Sequence, residues 1–240
     1  MKWETFDSYG SLSARAAELT LGAIHEDSRV VFGLPTGRTP LGMYARVVEI
    51  CSRKYHCFRE VTTFNLDEYA GIACNHPGSY CTYMHEHLFD HVDIDRSRTH
   101  IPDGRAADLE AECARYERSI RQAGGLGVTF LGLGRNGHIG FNEPGTSFES
   151  RTRVVSLTES TRRANAALFA DGEVPAKAIT MGIGTILESR AIVLLVSGEG
   201  KEAAVERLRS QEINEQFPAS ALHLHPDVTV LSSRAGHVPR

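Results

Sequence analysis

Residues 128–145 read "VTFLGLGRNGHIGFNEPG", and the change of character inside this stretch decides the fold. The opening run, Val128 to Leu133, is β-branched, aromatic and nearly continuous in apolar character, as strands buried on both faces are. Past it, Gly132, Gly134 and Gly137 stand at the spacing that cradles a dinucleotide pyrophosphate. That fingerprint needs a helix to begin inside the glycine pattern, so that its N-terminus meets the phosphates. Gly140, Pro144 and Gly145 all oppose a helix here. The dinucleotide reading therefore gives way to a strand that runs into a glycine-rich loop. The loop carries His138 and Glu143, a general acid/base with a carboxylate able to orient it.

Runs of the same kind recur on either side: "RVVFGL" (29–34), "VTTFNL" (61–66), "AITMGI" (178–183), "AIVLLVS" (191–197) and "VTVLSS" (228–233). Helical patterns fill the intervals over 11–25, 40–53, 78–90, 106–123, 160–170 and 199–210. In the first of them Leu12, Ala16, Leu19, Ala23 and Ile24 share one face. Strand and helix in alternation predict an α/β protein, a mostly parallel central sheet flanked by helices on both faces, with ligands collecting beyond the carboxyl ends of the strands. A chain of 240 residues, 41% hydrophobic and 23% charged, suits one domain spanning 1–240.

Bulk charge removes several function classes. Lys and Arg total 26 against 30 Asp and Glu, a net charge of −4, so no basic surplus awaits nucleic acid and any anionic ligand must be held by local donors. No apolar run approaches the ~20 residues of a membrane span. The opening "MKWETFDSYG" lacks the apolar segment of a secretory signal. Cys51, Cys57, Cys74, Cys81 and Cys113 are scattered without a CxxC pair and read as reduced thiols, which with the missing signal points to the cytoplasm.

Two further strand ends are rich in polar chemistry. After 29–34 come Thr36, Gly37, Arg38 and Thr39, just before a helix with Pro40 in its first turn. They form an anion site, most naturally for phosphate, or a plain turn with an N-cap. After 61–66 come the adjacent carboxylates Asp67 and Glu68. Burial would raise a carboxyl pKa and make a proton shuttle; left in water the pair is a solvated turn. "MHEHLFDH" gathers His85, His87 and His91, but on a helix His85 leaves the face shared by the other two, and no H-E-x-x-H is present, so no metal site is expected. The absence of G-x-S-x-G argues against a serine hydrolase.

Taken in order, "LPTGRTP", "TFNLDEY", "GLGRNGHIGFNEP", "SRTR", "TMGIGTIL" and "PASALHLHP" resemble the glucosamine/galactosamine-6-phosphate isomerase and deaminase family over about residues 29 to 231. The resemblance implies a Rossmann-like sugar-phosphate isomerase/deaminase fold. It implies an enzyme of amino-sugar catabolism, an isomerising hydrolase that turns glucosamine 6-phosphate and water into fructose 6-phosphate and ammonia. No metal or organic cofactor is implied; the partner is a small sugar phosphate, with neither nucleic acid nor membrane, and a homo-oligomer is possible. On the same basis His138 helps open the pyranose ring, Glu143 supports its charge, and Asp67 moves a proton from C2 to C1 through an enolamine. Thr36, Gly37, Arg38, Thr39 and Lys201 would bind the phosphate end of the substrate.

This chain departs from some relatives at three places. Asn136 stands where they carry aspartate, so it would orient the imidazole by hydrogen bonding without adding charge. Ala167 stands at an arginine position of the active site. Val155 replaces the lysine with which allosteric hexameric members grip an effector phosphate, although Arg153 remains; weak or absent activation by N-acetylglucosamine 6-phosphate is expected. The rival readings are a 6-phosphogluconolactonase-type hydrolase and a sugar-phosphate-sensing regulator. The lactonase needs no carboxylate for C2-to-C1 transfer, and a regulator would be expected to lose a catalytic group or carry an added module.

Overall fold

The computed structural model describes residues 1–53, 57–166, 169 and 173–233. The first half contains β1 (Lys2–Phe6), α1 (Tyr9–Glu26), β2 (Val31–Leu34), α2 (Leu41–Cys51), β3 (Thr62–Asn65), β4 (Asp67–Tyr69), α3 (Tyr80–His87), β5 (Thr99–His100) and α4 (Leu109–Gln122). The second contains β6 (Val128–Gly132), β7 (Arg153–Ser156), α5 (Glu159–Asn165), β8 (Lys177–Thr180), α6 (Ile183–Leu187), β9 (Ala191–Val196), α7 (Glu202–Arg209) and β10 (Val228–Ser233).

Seven strands form the central sheet in the order β1-β10-β9-β6-β2-β3-β5, with every pairing parallel. Side chains alternate between its two buried faces, as a pleated strand requires. Ile192, Leu194 and Val196 of β9 pack on one face with Tyr116 and Ile120 of α4 and Leu208 of α7. Val193 and Leu195 turn to the other, against Leu12 and Ala16 of α1 and Met43 and Val47 of α2. The nearly continuous apolar runs thus have a physical cause: both faces of each central strand are covered. Helix starts are capped by Ser8, Ser79, Asp108 and Thr158, whose side chains accept backbone N–H groups of the first turn.

Chain order runs outward in opposite directions from the β2/β6 junction, β2 to β3 to β5 on one side and β6 to β9 to β10 on the other. Loops leaving β2 and β6 therefore diverge and open a crevice, the place where open parallel sheets bind ligands.

Two sequence expectations are corrected, and one strand, β1, was not foreseen. The "AITMGI" run ends as a strand at Thr180, and β8 belongs to a separate antiparallel sheet of order β4-β8-β7. A short buried apolar run looks alike in either sheet, so only the path of the chain decides between them. β1 lacks the apolar run of the central strands because it is an edge strand: Lys2 and Thr5 are exposed, and the Arg209 guanidinium covers Trp3 at 3.9 Å. Finally, Cys74 and Cys81 are not both reduced thiols but form a disulfide. The loop after β4 doubles back over the start of α3 and brings their Cα atoms to 5.0 Å, a reversal that their spacing in sequence does not announce.

Candidate active site

The β6 loop supplies the centre. After Gly134 the chain turns back at Ile139–Asn142, where Asn142 N–H donates to Ile139 O at 3.1 Å and Gly140 takes φ +56°. This reversal returns residue 143 beside residue 138, and the Glu143 Oε2 lies 3.8 Å from His138 Nδ1. The ring nitrogen itself has no hydrogen-bond partner among the described residues. Burial and, to a lesser degree, the Lys201 charge hold the His138 pKa below its ordinary value, with Glu143 opposing them. The imidazole is thus kept neutral and available to take a proton.

Glu143 is fixed from two sides, accepting from Asn136 Nδ2 at 2.7 Å and from Thr161 Oγ1 at 2.7 Å. Asn136 differs from the expectation set for it. Its amide reaches Glu143 and its carbonyl oxygen accepts the His138 backbone N–H at 3.2 Å, so it orients the imidazole through the loop and through Glu143. Thr161, on the first turn of α5, was not foreseen; an isolated threonine in "ESTRRAN" offers no signal.

Gly137 precedes the histidine with φ +87°, and a Cβ there would lie 2.1 Å from the Phe217 ring. Both the left-handed backbone and the close aromatic demand glycine. Gly137→Ala is expected to lower unfolding free energy by about 2–4 kcal/mol, combining backbone strain with overpacking. Urea denaturation checks this; an unchanged midpoint would mean that Phe217 moves aside freely.

Asp67 opens β4, where it pairs with Thr180 of β8. Its carboxylate is buried and abuts the same turn, because a Cβ built on Gly140 would lie 3.4 Å from Asp67 Oδ2 and 3.1 Å from Thr180 Oγ1. Burial first, and the Glu68 charge second, raise the Asp67 pKa to about 8, and no hydrogen bond among the described residues offsets them. Glu68 is raised to about 7 by burial, although the backbone N–H groups of Tyr69, Tyr80 and Cys81 donate to it at 2.8, 3.1 and 2.9 Å. The solvated-turn reading of this pair therefore fails. Asp67 is poised to carry a proton, and Glu68 is anchored to the start of α3.

Tyrosines hold the β2 loop. Tyr44 donates to Pro35 O at 2.6 Å, Tyr83 to Gly37 O at 2.6 Å, and Tyr9 to Arg38 O and Thr39 O at 3.2 and 3.0 Å. With carbonyls engaged in this way, the backbone N–H groups of Gly37, Arg38 and Thr39 meet no acceptor among the described residues. α2 then begins at Leu41 with no cap from Pro40, its Gly42 N–H taken by the Tyr9 phenol at 2.6 Å and its Leu41 N–H by Arg38 O at 3.3 Å. The three free loop N–H groups have the chemistry of an anion cradle. Thr36 stands beside the Tyr80 phenol, which lies 3.2 Å from that of Tyr69, so the cradle adjoins the Asp67 strand. The Arg38 side chain is exposed and outside this cluster.

Lys201 approaches from the β9 loop, its Nζ donating to Leu133 O at 2.5 Å. Burial and the nearby Arg135 charge lower its pKa. Sheet order places the β2 and β9 loops on opposite sides of the β6 loop, so the cradle and Lys201 flank His138. Arg153 braces the turn, donating to Asn142 Oδ1 at 2.8 Å and Thr146 Oγ1 at 3.3 Å. Val155 packs against the Tyr69–Phe141 cluster. Ala167 lies outside the described residues.

Comparison with known proteins identifies the family. Residues 7–231 match the model of the family described as glucosamine-6-phosphate isomerases/6-phosphogluconolactonase. The glucosamine-6-phosphate deaminase 1 of Bacillus subtilis is 52% identical over 98% of this chain and 97% of its own length. The glucosamine-6-phosphate deaminase of Bacillus velezensis is 52% identical over 93% of each chain. A solved monomeric glucosamine-6-phosphate deaminase superposes with a TM-score of 0.95 at 51% identity, covering 98% of both chains. The 6-phosphogluconolactonase of Thermotoga maritima, at 18% identity and a TM-score of 0.76 over 98% of this chain and 99% of its own, shares the fold alone. The chain belongs to the glucosamine-6-phosphate isomerase/6-phosphogluconolactonase family.

Proposed function

We propose that the chain is a glucosamine-6-phosphate deaminase, converting glucosamine 6-phosphate and water to fructose 6-phosphate and ammonia in amino-sugar catabolism. The observation that carries this reading is the buried Asp67 carboxylate against the Gly140 turn, beside the loop that pairs His138 with Glu143. A lactone hydrolase has no use for a raised carboxylate aimed at a carbon-bound proton.

The chemistry divides among these groups. The β2-loop N–H groups and Lys201 bind the phosphate, and this remote grip holds the open-chain sugar in place for reaction. His138 accepts the ring hydroxyl proton and returns one to the ring oxygen, opening the pyranose; Glu143 stabilises the imidazolium formed on the way. Ionised Asp67 takes the C2 proton, and the electron pair passes into the C1 carbonyl to leave an enolamine. Return of the proton to C1, pushed by the nitrogen lone pair, gives the C2 iminium, and transfer of one of its N–H protons to the C1 oxide leaves the C2 imine. Water adds there and ammonia departs, so that one water is consumed per ammonia released. A carboxyl group with a pKa of about 8 is a stronger base than an ordinary carboxylate, which suits abstraction from carbon.

The test supplies purified protein with glucosamine 6-phosphate and, separately, with 6-phosphogluconolactone. Stoichiometric ammonia and fructose 6-phosphate are expected from the first. Acid release from the lactone without ammonia release would shift the assignment to the hydrolase, and substrate bound but intact after overnight incubation would mark a sensor.

A single chain is the working unit of this proposal. The structurally similar deaminase is monomeric, and among the described residues the exposed large hydrophobics are Ile213 and Leu224, too little for an obligate interface. No helix of the described residues is long and apolar enough to cross a membrane. We place the protein in the cytoplasm, where charged sugar phosphates are retained. With Arg153 committed to Asn142 and Val155 to an apolar cluster, N-acetylglucosamine 6-phosphate is expected to leave the half-saturation for substrate within about twofold, far below the 5–150-fold of typical allosteric coupling. A tenfold drop in steady-state assays would contradict this.

A further inference from the structure

A second cluster of reactive side chains lies on the other side of the Glu68 anchor. Cys81 and His85 sit four residues apart on α3 and so share one helix face. The preceding loop lays Cys74 over that face. Its position does not depend on the disulfide alone, because the Cys74 carbonyl accepts from Ser79 Oγ at 2.6 Å and from Thr82 Oγ1 at 2.7 Å. One ligand atom from each of Cys74, Cys81 and His85 falls within 4.8 Å of the others. Cys74 and His85 border a surface cleft of about 480 Å³ lined also by Asn75, Thr82, Glu86 and Asp90. None of the groups assigned to the sugar-phosphate site lines it.

The His85 Nδ1 lies 2.9 Å from Asp90 Oδ1 and 3.1 Å from Arg96 Nη1, so the ring is held through one nitrogen and Nε2 has no hydrogen-bond partner among the described residues. A carboxylate on the nitrogen away from the metal is how metal-binding imidazoles are held. The sequence-level grouping of His85 with His87 and His91 does not occur. His87 packs edge-on against Tyr83, and His91 bonds the Glu86 carbonyl.

We propose that Cys74, Cys81 and His85, once the disulfide is reduced, form a site for a thiophilic divalent cation of the zinc class. Reduction takes two electrons: a phosphine attacks one sulfur, water converts the phosphine to its oxide, and both cysteines are left as thiols. Cation binding then displaces the two thiol protons. Two thiolates on tetrahedral zinc stand about 3.8 Å apart when each bond is about 2.3 Å. With Cα atoms 5.0 Å apart, side-chain rotation suffices to open the sulfurs from their bonded position to that separation. The cleft admits the ion and leaves its fourth position to water. Disulfide and metal would thus clamp the same loop to the same helix, beside the Cys81 N–H that holds Glu68.

The experiment uses the full chain, reduced with a phosphine and desalted, and titrates cobalt(II) and then zinc against a chromophoric zinc indicator. Expected are one equivalent of cobalt with thiolate-to-metal charge-transfer absorption, displaced by zinc. Zinc affinity should fall by at least about 100-fold in Cys74→Ser and in His85→Ala, because losing even an outer-shell partner costs about 10–100-fold. Protein left with its disulfide intact should give no charge-transfer band, which tests the site without any substitution. A band that persists in oxidised protein, or zinc affinity equal in reduced wild type and Cys74→Ser, would overturn the proposal.

Discussion

Asp67→Asn is expected to cut turnover of glucosamine 6-phosphate by about 10²–10⁴-fold, the contribution of a positioned proton transfer, while sugar-phosphate affinity stays close to wild type. The amide keeps the shape of the carboxyl group against Gly140 but cannot accept a proton from carbon. Calorimetric titration with an unreactive sugar phosphate, set beside steady-state kinetics, separates the two quantities. Lost binding with unchanged turnover would remove Asp67 from the chemistry.

The same substitution should raise stability by an amount that depends on pH. Burial raises the Asp67 pKa from 3.8 to about 8, so between these values the folded chain holds a proton that the unfolded chain releases. Stability from this group is present below the unfolded value and is lost as pH rises through the folded one. Asp67→Asn therefore melts higher than wild type at pH 8.5 and gains little at pH 5. Equal gains at both would show that charge burial is not the source. In the wild type, kcat/KM should rise with pH across the neutral range as the Asp67–Glu68 pair ionises. The apparent pKa values there belong to the pair and not to either residue.

The second large effect concerns the ring. His138→Gln should lower turnover by about 10²-fold, because the neutral imidazole that shuttles the ring proton is gone. Substrate carrying deuterium at C2 tells which step has slowed. When ring opening limits the rate, the isotope effect contracts toward unity in His138→Gln. A full isotope effect in that variant would instead place the histidine in the C2 proton transfer. Glu143 depends on residues from both sides, Asn136 and Thr161, so the geometry around His138 is set by the turn and by α5 together.

Much of this was legible in the residues. Strands covered on both faces lose the polar half of their alternation, so "AIVLLV" and "VTFLG" announced a parallel sheet before any coordinate. Gly140, Pro144 and Gly145 excluded a helix after β6 and left a loop, and the loop is there. The adjacency of His138 and Glu143 follows from a local reversal of four residues, which glycine at φ +56° permits.

Other features depend on where distant segments are carried. Whether β8 joins the large sheet or the small one is settled by its partners β4 and β7, not by its own apolar residues. Thr161 reaches Glu143 from α5, and Thr36 meets Tyr80 across the gap between the β2 loop and α3. Cys74 meets Cys81 and His85 only because the loop after β4 doubles back. By itself the sequence determined strand periodicity, helix caps and loop chemistry, since these act through neighbours a few bonds or one turn away. The tertiary structure alone decided burial and long-range pairing. These turn Asp67 from a solvated carboxylate into a base, because desolvation is a property of everything packed around a group and not of the group's own residue.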